Sequence, residues 1–450
     1  MGRANGAVPV ILVIYLIAGT AGISYFATDY NFSANRDYQF SEPMKITNES
    51  GGLAPHPYLL AYKNYVFAFA NVLTWYEEQG LPMCNQTMTV YRSVDCGYTW
   101  NESGILSPTP YENFTDPARA EIWNDTLYVV EFFISESRDD PDYVLLYRSK
   151  DFGESWEGPF NVTPPLWPAD LTYADLAVWN NTVYVVSGWG PPTNYIQIYF
   201  MKSEDGGENW TQPLRLTDSQ YCNIWPAIAV WENHVYILWE GVGPQGSTEA
   251  EFIKSDDGGN NWSTPIYITP TDGVHSWVEH GMNALIAYQN YVFFVYSDDP
   301  GDYPPKTLYF RRSCDYGNTW EDPIPIYQTG ENKKFIYDRN IVMDPVTKRL
   351  YVSWTDNDTP NGRFVLRFAY SDDFGENWSE PINITDYNIE KAADAPISVY
   401  NNTIHVIYTR SNLGNLYYRR SPPFNIPEIP PEWIFIVLFL FVMYFKIKVF

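Results

Sequence analysis

Only four cysteines and five histidines occur in 450 residues. That is too few for a disulfide framework, and no spacing among them suits a zinc site. Basic residues are also scarce. Against 54 Asp and Glu there are 28 Lys and Arg, leaving a net charge of −26. This excludes nonspecific nucleic-acid binding, which rests on cations over phosphates, and implies a solvated surface facing cations or basic partners. Between about residues 40 and 421 there is no long amphipathic helical pattern. Aromatic residues are abundant instead, at 18% of the chain, with 34 prolines and 28 glycines, the composition of many short strands joined by turns.

A string Ser-x-Asp-x-Gly-x-x-Trp occurs six times. Its aspartates are Asp95, Asp151, Asp205, Asp257, Asp315 and Asp373, and its serines lie 52 to 58 residues apart, between Ser93 and Ser371. Such a period marks one supersecondary unit repeated around a ring or along a stack. The string has the chemistry of a tight turn. Asp accepts hydrogen bonds from the turn's own amides, Gly takes a positive φ, and Trp packs on the neighbouring repeat.

Around each string the same strands return. An apolar run leads to a polar two-residue turn, such as Lys63-Asn64, Asn124-Asp125, Asn180-Asn181, Glu232-Asn233, Gln289-Asn290 or Asn401-Asn402, and an alternating strand follows. A third strand ends at the serine, and a Pro-led fourth follows the Trp. These strings resemble the Asp-box (BNR) repeats of sialidase-like β-propellers, and the resemblance covers about residues 40 to 421. It implies an all-β fold of four-stranded blades and a structural role for the box residues. A seventh repeat, from Ala395 to Ser421, stops at Pro422-Pro423 where its box is due. Its missing fourth strand matches Glu42 to Thr47 at the other end of the chain. Pairing the two would close the ring and leave no free edge. Seven blades are therefore expected, with the six usual in sialidases as the alternative.

Residues 1–27 read as a signal peptide or retained signal anchor, followed by a linker at 28–40. The propeller spans 41–421, a Pro-rich linker 422–432, and an apolar segment 433–450, expected as a transmembrane helix with Lys446 and Lys448 at its end. Fourteen Asn-x-Ser/Thr sequons fit an extracellular glycoprotein, although Asn209, Asn261 and Asn377 fall inside boxes and are explained by the repeat. Cys84 and Cys96 share one repeat, and a disulfide between them is expected outside the cell.

Function is expected on the face opposite the boxes, where the loops joining the second and third strands gather with those joining blades. Aromatics and carboxylates predominate there. Trp75, Trp189, Trp225 and Trp277 are expected to stack on sugar rings, with Asp299 and Asp338 accepting from hydroxyls. The sialidase resemblance implies three arginines that grip a carboxylate, a Tyr–Glu nucleophile pair, an Asp acid/base, and a Phe/Tyr-Arg-Ile-Pro string. That string is absent. Arg119 and Arg339 alone hold positions the resemblance implies for triad arginines, with Tyr337 and Glu279 as the nucleophile pair. No metal or cofactor is expected, calcium at Asp298-Asp299 or Asp139-Asp140 being the exception to consider. The sequence thus reads as a membrane-anchored propeller on the cell surface that binds glycans or protein partners without hydrolysing them. A sialidase-type exoglycosidase is the alternative, and an envelope scaffold a third reading.

Overall fold

The computed structural model describes residues 38–47, 56–78, 81–106, 114–134, 142–163, 170–190, 195–277, 283–300, 305–330, 334–387, 392–393, 395–410 and 415–421. It is an all-β propeller of seven blades, each of four antiparallel strands numbered outward from the axis. The inner strands of blades 2, 3, 4 and 6 are Phe114–Trp123, Asp170–Trp179, Ile224–Trp231 and Ile336–Met343. Blade 1 begins with Tyr58–Tyr62. In blades 5 and 7 the inner strand is split, into His275–Trp277 with Leu285–Tyr288 and Ala392–Ala393 with Ile397–Tyr400. Second strands such as Thr182–Gly190 and Leu350–Asp356 are almost entirely buried between blades, which accounts for their unbroken apolar runs. The polar turns form as expected, with the first residue of each left-handed: φ is 57° at Lys63, 48° at Asn124, Asn180 and Asn401, 55° at Glu232 and 54° at Gln289.

The boxes are the turns their chemistry implies. In the fourth, Ser255 Oγ donates to Asp257 Oδ1 at 2.8 Å and accepts the Gly259 amide at 2.9 Å. Asp257 Oδ1 also accepts the Asn261 amide, and its Oδ2 the Asn261 side chain, at 2.8 and 2.6 Å. In all six boxes the residue before the Trp carries a donor that makes this last contact: Thr99, Ser155, Asn209, Asn261, Thr319 and Asn377. The three box sequons are therefore hydrogen-bonded parts of the turn. Each box Trp or Gly packs on the preceding blade. Trp262 meets Phe200 at 4.9 Å, Trp320 meets Phe252 at 5.1 Å and Trp378 meets Phe310 at 5.0 Å. A β-carbon on Gly375, where φ is 89°, would lie 2.1 Å from Phe310, so the glycine answers both to the turn and to the close approach of the preceding blade.

The ring closes as its sequence implies. Met44–Lys45 pairs with Leu416–Arg420, Met44 opposite Tyr418 and Lys45 opposite Tyr417, and supplies the outer strand of blade 7. The expected disulfide is corrected. Cys84 lies near the start of Leu81–Ser93, and Cys96 lies in the turn beyond its end. At about 3.3 Å per residue most of an extended strand separates them, far beyond disulfide reach, and Cys96 is a free thiol. Among the described residues no helix is long and apolar enough to cross a membrane. The segments 1–27 and 422–450 lie outside those residues.

Candidate functional site

One position recurs around the axis, four residues before the end of each inner strand. It holds Tyr58, Arg119, Asp175, Ala227, Ala284 and Arg339 in blades 1 to 6. The first three are joined to neighbours. Arg119 Nη1 donates to both Asp175 oxygens, at 3.1 and 2.8 Å, and Asp175 also accepts the amides of Leu176 and Ile228, each at 2.8 Å. One ion pair thus ties blades 2, 3 and 4. Glu121 accepts the Val178 amide at 2.8 Å, and Tyr58 Oη donates to Asn283 at 3.2 Å. Arg119 is buried in this network and does not line the cavity described next.

Bulges just above that level re-aim side chains, as they often do beside functional sites. Ladder registers shift between Thr172 and Ala174, Ile224 and Ala227, and Tyr337 and Asn340. Each bulge contains a residue with positive φ: Tyr173 at 30°, Trp225 at 52° and Asp338 at 53°. Such strain in non-glycine residues persists only where the surrounding structure imposes it.

Between blades 4, 5 and 6 these bulges open a cavity of about 270 Å³ on the face opposite the boxes. Trp225, Trp277, Phe335, Ile336 and Tyr337 form its apolar wall, and Glu240, Ser297, Asp299, Lys306 and Arg339 its polar one. Lys306 Nζ lies 2.7 Å from Asp299 and 4.7 Å from the Phe335 ring centroid, so one cation serves a carboxylate and an aromatic face together. Arg339 Nη1 donates to Ser297 Oγ at 2.8 Å and the Ile336 carbonyl at 2.7 Å. Glu240 is 1% exposed. Two cations and two carboxylates share a small space with two indoles, giving a neutral, mixed lining despite the acidity of the whole chain.

Of the residues expected to act, Trp225, Trp277, Asp299, Tyr337 and Arg339 meet in this cavity. Asp338 is adjacent in the chain but does not line the cavity. Trp189 is a core residue, packed between blades 2 and 3 with Tyr199 at 5.4 Å from its ring, and does not reach the site. The side chain of Trp75 and all of Glu279 lie outside the described residues, as do Asp139 and Asp140. Among the described residues no group of three His, Cys, Asp or Glu side chains is placed to hold a metal ion. Asp298 accepts the Thr307 amide at 2.6 Å while Asp299 pairs with Lys306. Sequence reasoning missed Glu240 and Lys306. Their signals are a charge closing the apolar run Val235 to Trp239 and a lysine opening a third strand after Pro304-Pro305.

Three carboxyls give the fold a pH dependence. Burial pushes Glu121 up to about 7 against the pull of Arg119, Glu251 up to about 7, and Asp356 up to about 6 against Arg367. Because their folded values exceed the ordinary 4.5, 4.5 and 3.8, their contribution is full below those values and is lost as pH rises through 6 to 7. The box carboxylates run the other way: hydrogen bonds from the Asn261 side chain and amide hold Asp257 down at about 2, so this contribution is lost as pH falls towards 2. Stability is expected to peak at roughly pH 4–5. Unfolding midpoints at pH 5 and 8 and constant ionic strength check this; an equal or higher midpoint at pH 8 refutes it.

A family model for the BNR/Asp-box repeat matches residues 369–380, the sixth box. No curated protein sequence matches the chain. Among solved structures, an ulvan lyase representing a new family of polysaccharide lyase superposes with a TM-score of 0.54 at 13% identity, over 84% of this chain and 95% of that one. The same kind of enzyme bound to -[GlcA(1-4)Rha3S]- gives 0.54 at 14%, over 83% and 94%. A mutant Trypanosoma rangeli sialidase displaying trans-sialidase activity gives 0.44 at 13%, over 85% of this chain and 58% of that one. What is shared at such identities is the fold. The chain carries BNR/Asp-box repeats on a seven-bladed β-propeller whose structural neighbours include carbohydrate-active enzymes.

Proposed function

We propose that this propeller binds glycans, holding one sugar ring in the cavity between blades 4, 5 and 6 without hydrolysing it. The observation that carries the reading is the convergence of Trp225 and Trp277 with Glu240, Asp299, Lys306 and Arg339 in one cavity. Indole faces suit the C–H faces of a sugar, and fixed donors and acceptors suit its hydroxyls. The charged groups are already engaged: Lys306 neutralises Asp299, and Ser297 and the Ile336 carbonyl hold Arg339. Side chains held in this way suit a binding wall. The ulvan lyase bound to -[GlcA(1-4)Rha3S]- shares the fold, which supports carbohydrate as the ligand class. Display outside the cell rests on the sequons and on the apolar segments at 1–27 and 433–450.

A second reading, glycoside hydrolysis of sialidase type, draws on one specific observation. Tyr337, Arg339, Glu240 and Asp299 line the same cavity, so a tyrosine, an arginine and two carboxylates are at hand. Binding to a glycan array and turnover of fluorogenic glycosides, sialosides included, separate the two. The expected result is saturable binding with no turnover, and a loss of about tenfold or more in affinity for Trp277→Ala, which removes a stacking face. Turnover abolished by Glu240→Gln or Arg339→Ala would replace the binding reading with the enzymatic one. Absence of any glycan ligand would reject both.

A further inference from the structure

We infer that the site takes an internal stretch of an extended oligosaccharide, lying across the face from blade 3 to blade 6, rather than a single terminal sugar. This rests on the glycan reading above and extends it to the length and direction of the ligand. The cavity is flanked on both sides by aromatic rings. On the blade 3 side, Tyr173 approaches Trp225 with ring centroids 6.3 Å apart. On the blade 6 side, Phe335 stacks on Tyr337 at 5.7 Å and 9°, and Tyr337 meets Phe364 at 5.9 Å and 42°. Tyr337 is 41% exposed, an unusual state for a large aromatic at an inner strand.

The bulges account for this arrangement. Left-handed residues at one level of blades 3, 4 and 6 displace the inner strand and re-aim Trp225 and Tyr337 towards the cavity, while Tyr173 keeps one side packed on Phe132 of blade 2 and meets Trp225 with the other. The rings at the two ends of the row, Tyr173 and Phe364, belong to blades 3 and 6, either side of the cavity. A ligand bound only at its end would use one side of the cavity. Here both sides are furnished, so the chain is expected to pass through.

The test is calorimetry on the whole protein with two oligosaccharide ladders of two, four, six and eight sugars, one of the acidic repeat GlcA(1-4)Rha3S and one of neutral arabinose. Wild-type affinity is expected to rise by about fivefold for each ring that gains a stacking partner, then level off. Phe364→Ala, and independently Tyr173→Leu, which keeps apolar packing but removes the ring, should remove most of that rise while leaving disaccharide affinity within about twofold; unchanged unfolding midpoints show that the fold is kept. Disaccharide affinity equal to that of the longest oligosaccharide would overturn the inference and leave the single-ring reading in place. Equal losses for short and long ligands in Phe364→Ala would also overturn it, by placing Phe364 in the primary site. If neither ladder binds, the glycan reading fails and this inference with it.

Discussion

Arg119→Ala is expected to destabilise the propeller by about 3–5 kcal/mol, the range for removing one member of a buried ion pair, while leaving glycan affinity at the cavity unchanged. The cost comes from what stays behind. Asp175 would keep its two amide donors but lose its cation, and burial already pushes this carboxyl up against the pull of Arg119. Glu121, also near Arg119, would lose the same counter-charge. The penalty should therefore shrink as pH falls, since without the cation both folded-state values rise further and protonation relieves the uncompensated charge. Chemical denaturation at pH 5 and 8 reads both effects. A second variant separates charge from shape: Arg119→Met with Asp175→Leu replaces the pair by apolar groups and should recover most of the loss. If Arg119→Ala is stable but loses ligand, Arg119 belongs to the binding site and the sialidase-type reading gains its second arginine.

That outcome bears on how far a sequence of this kind can be read. The repeat, the turns, the blade count and the strand that closes the ring were all legible, because each rests on local chemistry repeated six or seven times. A left-handed Asn, an Asp accepting from its own turn and a Trp packing on the neighbouring blade are decided within a few residues. The site is a different kind of object. Arg119 and Arg339 occupy one repeat position and read alike in sequence, yet one is spent on Asp175 and the other lines the cavity. Their neighbours decide the difference, and those come from other blades. Trp189 and Trp225 show the same limit, since Thr182–Gly190 is buried on both faces and carries Trp189 into the core while a bulge at φ 52° turns Trp225 out. No residue type announces a bulge. Glu240 and Lys306 could have been flagged as charges at the ends of apolar strands, but their convergence on one cavity depends on how blades 4 and 5 lie side by side.

Deleting residues 40–47 is expected to open the ring, and the reason lies in the box that blade 7 lacks. Five boxes place a Trp on an aromatic ring or its equivalent in the preceding blade; the acceptor is often the third-strand residue three before the serine, as with Phe200, Phe252, Phe310 and, in blade 7, Tyr418, which meets Trp100 at 4.9 Å. In blade 6 that residue is Phe368, and no Trp follows to cover it. Phe40 does so instead, edge-on at 6.0 Å and 79°. The segment then continues as the closing strand. Ser41 N donates to the Arg420 carbonyl at 2.8 Å, Ile46 N to the Leu416 carbonyl at 3.0 Å, and fully buried Thr47 accepts the Leu416 amide at 3.0 Å. Eight residues thus supply both the missing strand and a surrogate for the missing Trp. Phe40→Ala should cost roughly 2 kcal/mol, less than a fully buried Phe because the ring is partly exposed, and Phe40→Trp should be tolerated. The deletion should do far more: it bares the edge of Leu416–Arg420, a template for pairing with another chain, so broadened unfolding and self-association by size-exclusion chromatography are expected. A monomeric deletion variant with an unchanged unfolding midpoint would mean that seven blades hold together without the strand, and that packing between blades, rather than closure by the chain's two ends, keeps the ring intact.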